Sequence, residues 1–359
     1  PLSQIVYVNF EDERLLEMSA DDLNVILEIG LEMAGVDNRP YLFLDEIQNI
    51  KGWEKFVRRI ADMKYRINIT GSNSKMLSSE IASTLGGRFM IVDIYPYSFP
   101  EYLLAQGKNK NYLDILSTKD RAEVLGMYDQ YVKYGAFPEL VGIRNKREFL
   151  NSIYQTIYLG DIITRNKITN DFAVRLILKK IAESITKPLS FNRLGNILKS
   201  AGAAIGKQTV INYVGYMMES YMLFTLQNYA AKLIQKETSP KYYFMDTGLL
   251  GLMLMDCSSA QLENLVAIEL IRRFGREKVF YFENNVEIDF YIPEEKLAIQ
   301  VSMQVLDQIE TREREIGAFL KLRNFIEGAR CILITNSEEA ELDCDGIHVS
   351  VVPAWKWLL

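Results

Sequence analysis

Two neighbouring carboxylates, Asp45 and Glu46, follow an unbroken apolar run, Tyr41-Leu42-Phe43-Leu44. Such a run reads as a buried strand, which places both acids at its carboxyl end, the edge where open α/β sheets bind ligands. One acid there can hold Mg2+ through water while its neighbour orients a water for phosphoryl transfer. A second strand end, Asn68-Ile69-Thr70-Gly71-Ser72-Asn73, comes one crossover helix later. It would set Ser72 or Asn73 beside the acids, able to polarise that water or a γ-phosphate. Gly86-Gly87-Arg88 closes the next helix, and Arg88 can neutralise developing charge in its own or a neighbouring subunit. Each piece alone also fits an ordinary acidic turn or a surface arginine; the combination carries the weight.

Other chemistries are poorly supplied. The three cysteines, Cys257, Cys331 and Cys344, form no CxxC pair and have no companion histidines, so a disulfide framework or zinc site is not expected and a reducing compartment fits. His348 is the only histidine and falls in a strand-like segment near the end, where it reads as a partly buried strand residue. Serine–histidine and cysteine–histidine nucleophiles are therefore nearly excluded. A net charge of −6 rules out a globally basic protein but leaves room for a local basic face. With 48% hydrophobic and 25% charged residues the composition is globular. No apolar run is long enough to cross a bilayer and no signal peptide opens the chain, so a cytoplasmic protein is expected.

The elements that must position these residues alternate over the first hundred positions. Ile5 to Phe10 reads as a strand and Ser19 as the cap of a helix beginning Ala20-Asp21-Asp22. Trp53 to Met63 has helical spacing, Ile67 to Thr70 is a strand, Ser74 to Leu85 a helix and Phe89 to Ile94 a further strand. That order predicts a parallel α/β sheet. From Pro96 to about 170 the chain is mainly helical, with aromatic anchors and a turn at Gly135-Ala136-Phe137-Pro138. Helices continue to about 230. A second α/β pattern then runs through a helix at Ala260 to Phe274, strands near Val279 to Phe282, Glu287 to Ile292 and Ala298 to Ser302, a charged helix at Asp307 to Arg323, and a strand at Ala329 to Thr335. The alternating charges Glu310 to Glu315 read as a solvated helix face.

Residues 5 to 104 resemble a family of prokaryotic AAA-type P-loop ATPases. The resemblance rests on Leu44-Asp45-Glu46-Ile47-Gln48, Trp53, Thr70-Gly71-Ser72, Gly87-Arg88 and Pro96-Tyr97-Ser98-Phe99-Pro100-Glu101. It implies that Asp45 and Glu46 are the Walker B pair, Ser72 or Asn73 the sensor, and Arg88 an arginine finger. It also implies ATP and Mg2+ as cofactors of the full-length protein. Such ATPases carry G-x-x-x-x-G-K-[ST] ahead of the segment that opens this chain, and no such pattern occurs in its 359 residues. That loop cradles phosphate through backbone N–H groups and a lysine. The resemblance therefore implies a truncated chain, on which neither ATP nor Mg2+ is expected and for which micromolar ATP affinity is not.

Residues 172 to 230 resemble a winged helix. Ser190-Phe191-Asn192-Arg193-Leu194 opens one helix and Gly206-Lys207-Gln208-Thr209-Val210 another, whose exposed start (Lys207, Gln208, Thr209, Asn212) has the donor-rich composition of a recognition helix. A plain interdomain helical module fits the same residues. The tail resembles a restriction-endonuclease-like domain through Tyr243-Phe244-Met245-Asp246-Thr247-Gly248-Leu249, Leu262-Glu263-Asn264, Glu287-Ile288-Asp289-Phe290 and Ile299-Gln300-Val301-Ser302. An active nuclease of that kind needs a helix glutamate, a strand aspartate and then Glu-x-Lys, whose carboxylates hold Mg2+ and whose lysine helps activate water. Glu263 and Asp289 match. Gln300 and Ser302 stand where the second glutamate and the lysine belong, and an amide is a poor Mg2+ ligand, so a binding scaffold that does not cut DNA is expected.

The expected fold is α/β: residues 1–97 an ATPase core without its P-loop, 98–171 a helical lid or linker, 172–235 winged-helix-like and 236–359 restriction-endonuclease-like. The expected function is an AAA-type ATPase coupling ATP binding and hydrolysis to a DNA- or partner-binding C-terminal region, inactive without the P-loop. The alternatives are a non-enzymatic DNA-binding or protein-interaction module and, more weakly, a metal-dependent nuclease. DNA, another protein or further copies of the chain remain open as partners; a membrane does not.

Overall fold

The computed structural model describes residues 4–35, 39–72, 83–87, 89–108, 117–203 and 205–359. It divides into two compact units, Pro1–Asp93 with Glu219–Tyr221, and Ile94–Met218 with Met222–Leu359. Each is described by itself.

In the first unit β1 (Ile5–Asn9), β2 (Tyr41–Asp45) and β3 (Arg66–Ile69) form a parallel sheet with β2 in the centre. The crossovers are α1 (Leu23–Ala34) and α2 (Trp53–Asp62). Trp53, Phe56, Val57 and Ile60 recur at the spacing of one helix face, and all four are buried with Leu42 and Leu44 of β2 and Leu23, Ile26 and Leu27 of α1. Gly30 lets α1 lie close on the sheet, since a Cβ there would come within 2.9 Å of the Val6 side chain. Ser19 does not cap α1. Its N–H and hydroxyl both donate to the Asp22 carboxylate, and the helix begins after that turn, at Leu23. The strand expected at Phe89 to Ile94 does not form either. Those residues belong to no strand, and Met90, Val92 and Ile94 are exposed. An apolar β-type run becomes a strand only where a neighbour supplies ladder hydrogen bonds, and none pairs with it among the described residues. Most of the helix expected at Ser74 to Leu85 lies outside them.

The second unit starts with α3 (Phe99–Ala105), whose Ser98 and Glu101 form a reciprocal capping box. It continues through α4 (Thr118–Tyr134), α5 (Lys146–Gln155), a π-helical stretch (Thr156–Thr164), α6 (Asp171–Ala182), α7 (Phe191–Ser200) and α8 (Lys207–Glu219). Eight strands then build a mixed sheet in the order β10-β11-β9-β8-β7-β6-β4-β5. They are β4 (Leu223–Asn228), β5 (Lys241–Phe244), β6 (Phe280–Glu283), β7 (Glu287–Ile292), β8 (Leu297–Ser302), β9 (Arg330–Thr335), β10 (Ala340–Cys344) and β11 (Ile347–Pro353). The helices among them are α9 (Leu233–Thr238), α10 (Thr247–Met253), α11 (Ser258–Phe274), α12 (Ile309–Leu322) and α13 (Ala354–Trp357). Strand β4 changes partner along its length: residues 223–226 pair with β5 and residues 227–228 with β6.

Two sequence motifs of this unit act as joints. The buried Asp246 carboxylate accepts the N–H groups of Gly248 and Leu249 at the start of α10 and that of Ala136 at 2.7 Å. Burial lifts its pKa to about 6, against those three donors. The backbones meet so closely that a Cβ on Gly248 would lie 2.2 Å from the Tyr134 carbonyl oxygen. Asn264 of α11 bonds both the N–H and the carbonyl of Phe244, as a neighbouring strand would. On α12, Glu315 is buried and paired with Arg314, so that charged face is not wholly solvated. His348 sits on β11 as expected but is exposed, held by Asp343 and Glu341.

Candidate functional site

In the first unit the acids stand where strand β2 ends. Asp45 is its last residue, opposite Asn9 of β1, and Glu46 follows in a left-handed conformation, φ 54°. That turn, which opens the short 3-10 segment Ile47–Asn49, separates the two side chains so that each meets its own partners. Tyr7 donates its hydroxyl to Asp45 Oδ2 at 2.6 Å, and Thr70 donates its hydroxyl to Oδ1. Ser72 donates to Glu46 Oε2 at 3.0 Å, as does the Gln48 amide. Thr70 Oγ1 also accepts the Glu46 N–H at 3.2 Å, so a single hydroxyl links the two acids. The hydrogen bond to Asp45 holds the Tyr7 phenol above its ordinary pKa of 10. Among the described residues neither acid is paired with a lysine or arginine, and both are half-buried. Chemically this is a pair of oriented carboxylates whose charge has not been cancelled.

The expected constellation is thus brought together at Asp45, Glu46 and Ser72. Asn73 and Arg88 lie outside the described residues. Sequence reasoning missed Tyr7 and the role of Thr70. Thr70 could have been found, because it stands at the strand end that carries Ser72; nothing in the spacing of Tyr7 marks it.

At the start of α8 Lys207, Gln208 and Asn212 are exposed and Thr209 is half-buried, while Val210, Tyr213, Val214 and Met217 face inward. Gln208 donates to the Asn212 side-chain oxygen at 3.1 Å. This leaves a polar helix face rich in donors.

In the tail, Glu263 of α11, Asp289 of β7 and Gln300 of β8 come together, with a residue that sequence reasoning did not include. Lys241 of β5, 0% exposed, puts its Nζ 3.0 Å from Glu287, 3.6 Å from Asp289 and 3.7 Å from Glu263. Burial alone would lower its pKa; the carboxylates of Glu263, Asp289 and Glu287 outweigh burial and hold it above its ordinary range. Burial lifts Glu263 and Asp289, the ammonium offsetting part of the effect. Tyr243 donates to Glu263 at 2.9 Å, and Asp289 accepts the Val301 N–H at 2.9 Å. The Gln300 amide accepts the Asp289 N–H and donates to the Glu287 carbonyl, and the Ser302 hydroxyl donates to the Gln304 carbonyl.

Residues 1–103 match the AAA domain family, and residues 125–259 match a domain of unknown function, DUF8612. An uncharacterised protein of Methanocaldococcus jannaschii is 34% identical over 99% of this chain and 82% of its own length. One from Haemophilus influenzae is 29% identical over 98% and 86%. A Walker-type ATPase of Pyrococcus abyssi superposes at a TM-score of 0.42, with 12% identity, over 68% of this chain and 71% of that one. No helix among the described residues is long and apolar enough to cross a membrane. Matched at 34% identity along nearly its whole length, the chain belongs to the family of the Methanocaldococcus jannaschii protein, and its residues 1–103 carry an AAA domain.

Proposed function

We propose that the full-length protein, with a P-loop, couples ATP binding and hydrolysis to a DNA- or partner-binding C-terminal region. The observation that carries the reading is the pair Asp45 and Glu46 at the carboxyl end of the central strand, oriented by hydroxyl and amide donors and neutralised by no cation among the described residues. Asp45 would hold the water shell of Mg2+, whose charge would offset that of the phosphates. Glu46 would orient the attacking water, with Ser72 positioning its carboxylate. Ser72 or Asn73 as the sensor and Arg88 as an arginine finger complete the proposal. In the C-terminal region, the α8 face of Lys207, Gln208, Thr209 and Asn212 favours DNA, winged-helix fashion. The restriction-endonuclease-like tail would then be a scaffold, not a nuclease. A non-enzymatic DNA-binding module is the second reading, supported by the same α8 face.

Phosphate release by the whole gene product with Mg2+ and ATP separates the two readings. Glu46→Gln keeps the shape and the Ser72 contact and removes the charge. It should lower release by about 10²–10⁴-fold with nucleotide binding retained. No release by the unaltered protein, or equal release by the variant, would overturn the hydrolytic reading in favour of the binding module.

A further inference from the structure

The restriction-endonuclease-like reading of the tail calls for a divalent cation between Glu263, Asp289 and the residue at 300. The residues present do not fit one. Among the described residues no group of three or more histidine, cysteine, aspartate or glutamate side chains is placed to hold a metal ion. The amide of Gln300 is already bonded to the backbone of β7 on both of its polar atoms. One oxygen of Glu263 is bonded to Tyr243 and one of Asp289 to Val301. Among these carboxylates stands the ammonium of Lys241, completely shielded from solvent, with Glu287 half-exposed at the outer edge.

Its approach is that of an ion among ligands. Nζ lies 3.0 to 3.7 Å from three carboxylates that come from two elements, α11 and β7. One positive charge is thus shared among three acids, as a bound cation would be. The reach is made possible by β4, which hands its pairing from β5 to β6 and so brings the start of β5 towards β7. The Tyr281 ring of β6, its centroid 5.5 Å from Nζ, adds an aromatic wall beside the ammonium.

We infer that the ε-ammonium of Lys241 stands permanently where a nuclease of this kind would hold its divalent cation, making the cluster a metal-independent joint between β5, α11 and β7. The inference takes from the restriction-endonuclease-like reading only the identity of what is replaced. The joint itself rests on the distances.

Thermal unfolding of the full chain tests it in two ways. With the first-unit carboxylates neutralised by Asp45→Asn and Glu46→Gln, the chain should show the same melting temperature, within about 1 °C, in EDTA and in millimolar MnCl2; binding a metal to the native state would raise it. A rise of several degrees in manganese in that background would overturn the inference. Lys241→Met keeps the length and removes the charge, and should lower the melting temperature by about 10 °C. Adding Glu263→Gln to Lys241→Met removes a buried carboxylate that has lost its counter-ion, and should recover part of that loss. A double variant that only adds further loss, or a Lys241→Met as stable as the parent, would refute the joint. If Lys241→Met alone does not fold, folding of the double variant supports the inference, and the metal comparison in the Asp45→Asn, Glu46→Gln background, with Lys241 intact, still decides it.

Discussion

Glu46 offers a perturbation whose sign is unusual. At ordinary positions alanine is more stabilising than glycine by about 0.5–1 kcal/mol, because glycine has more freedom to lose on folding. Glu46, however, sits at φ 54° and ψ 39°, the left-handed region. There a side chain costs about 1–2 kcal/mol, which glycine avoids. Glu46→Ala and Glu46→Gly both lose the bonds to Ser72 and Gln48, so those contacts cancel in the comparison. What remains is conformational: glycine should be the more stable by about 0.5–1 kcal/mol. Lys55, exposed on α2, provides the control, where the order should reverse by about 1 kcal/mol in favour of alanine. Urea unfolding of the four variants reads both differences from midpoints at constant slope. Glu46→Ala equal to or more stable than Glu46→Gly would refute the claim that this turn stores strain. In the gene product both Glu46 variants should lose phosphate release, so the more stable one gains nothing in activity.

Four further tests concern the second unit. Gly248→Ala sets a methyl group 2.2 Å from a backbone carbonyl, and the urea midpoint should fall by the equivalent of about 3 kcal/mol or more. At Gly251 the obstacle is the end of the Gln261 side chain, at 2.8 Å, whose movement breaks its bonds to the Val132 and Thr247 carbonyls, so alanine there should cost about 2 kcal/mol. Asp246→Asn turns one acceptor into a donor facing backbone N–H groups and should cost about 2–3 kcal/mol at pH 4. Because the folded pKa of Asp246 is raised to about 6, its contribution is complete below about pH 4 and declines as pH rises through 6. The gap between parent and Asp246→Asn in unfolding midpoint should therefore narrow between pH 4 and 7, and a widening gap would show that the three N–H donors outweigh burial. His348 can be followed without assignment because it is the only histidine. Its hydrogen bond with Asp343, assisted by Glu341, raises its pKa, so NMR titration should place it above 6.5 and Asp343→Asn should bring it down.

The elements legible in the sequence are those whose periodicity is complete within themselves. Trp53, Phe56, Val57 and Ile60 mark one helix face whatever lies beyond it, and α2 forms over Trp53–Asp62. Glu287–Ile292 becomes a strand with the bounds expected of it. Phe89 to Ile94 has comparable β character and fails, since strand formation depends on a neighbour that local pattern cannot reveal. The same distinction separates the sites. Asp45, Glu46 and Ser72 are joined by a strand–helix–strand unit of regular length, and their convergence follows from the topology. Lys241 reaches Asp289 only because β4 changes partner midway, and no spacing in the sequence encodes that handover.

The two acidic centres show why the surroundings of a carboxylate matter more than its presence. At the end of β2 every bond described to the carboxylates of Asp45 and Glu46 comes from a hydroxyl or a side-chain amide. Such neutral donors fix a carboxylate's direction without cancelling its charge. The acids are half-buried, so water can still reach them, and among the described residues no cation has to be displaced by an arriving one. Around Lys241 the sequence supplies similar acids and the fold supplies the cation as well. A divalent ion entering there would have to expel a buried ammonium and strip its own hydration shell, with several kcal/mol opposing each step. Chemistry that requires an exchangeable cation is therefore favoured at the first centre and resisted at the second.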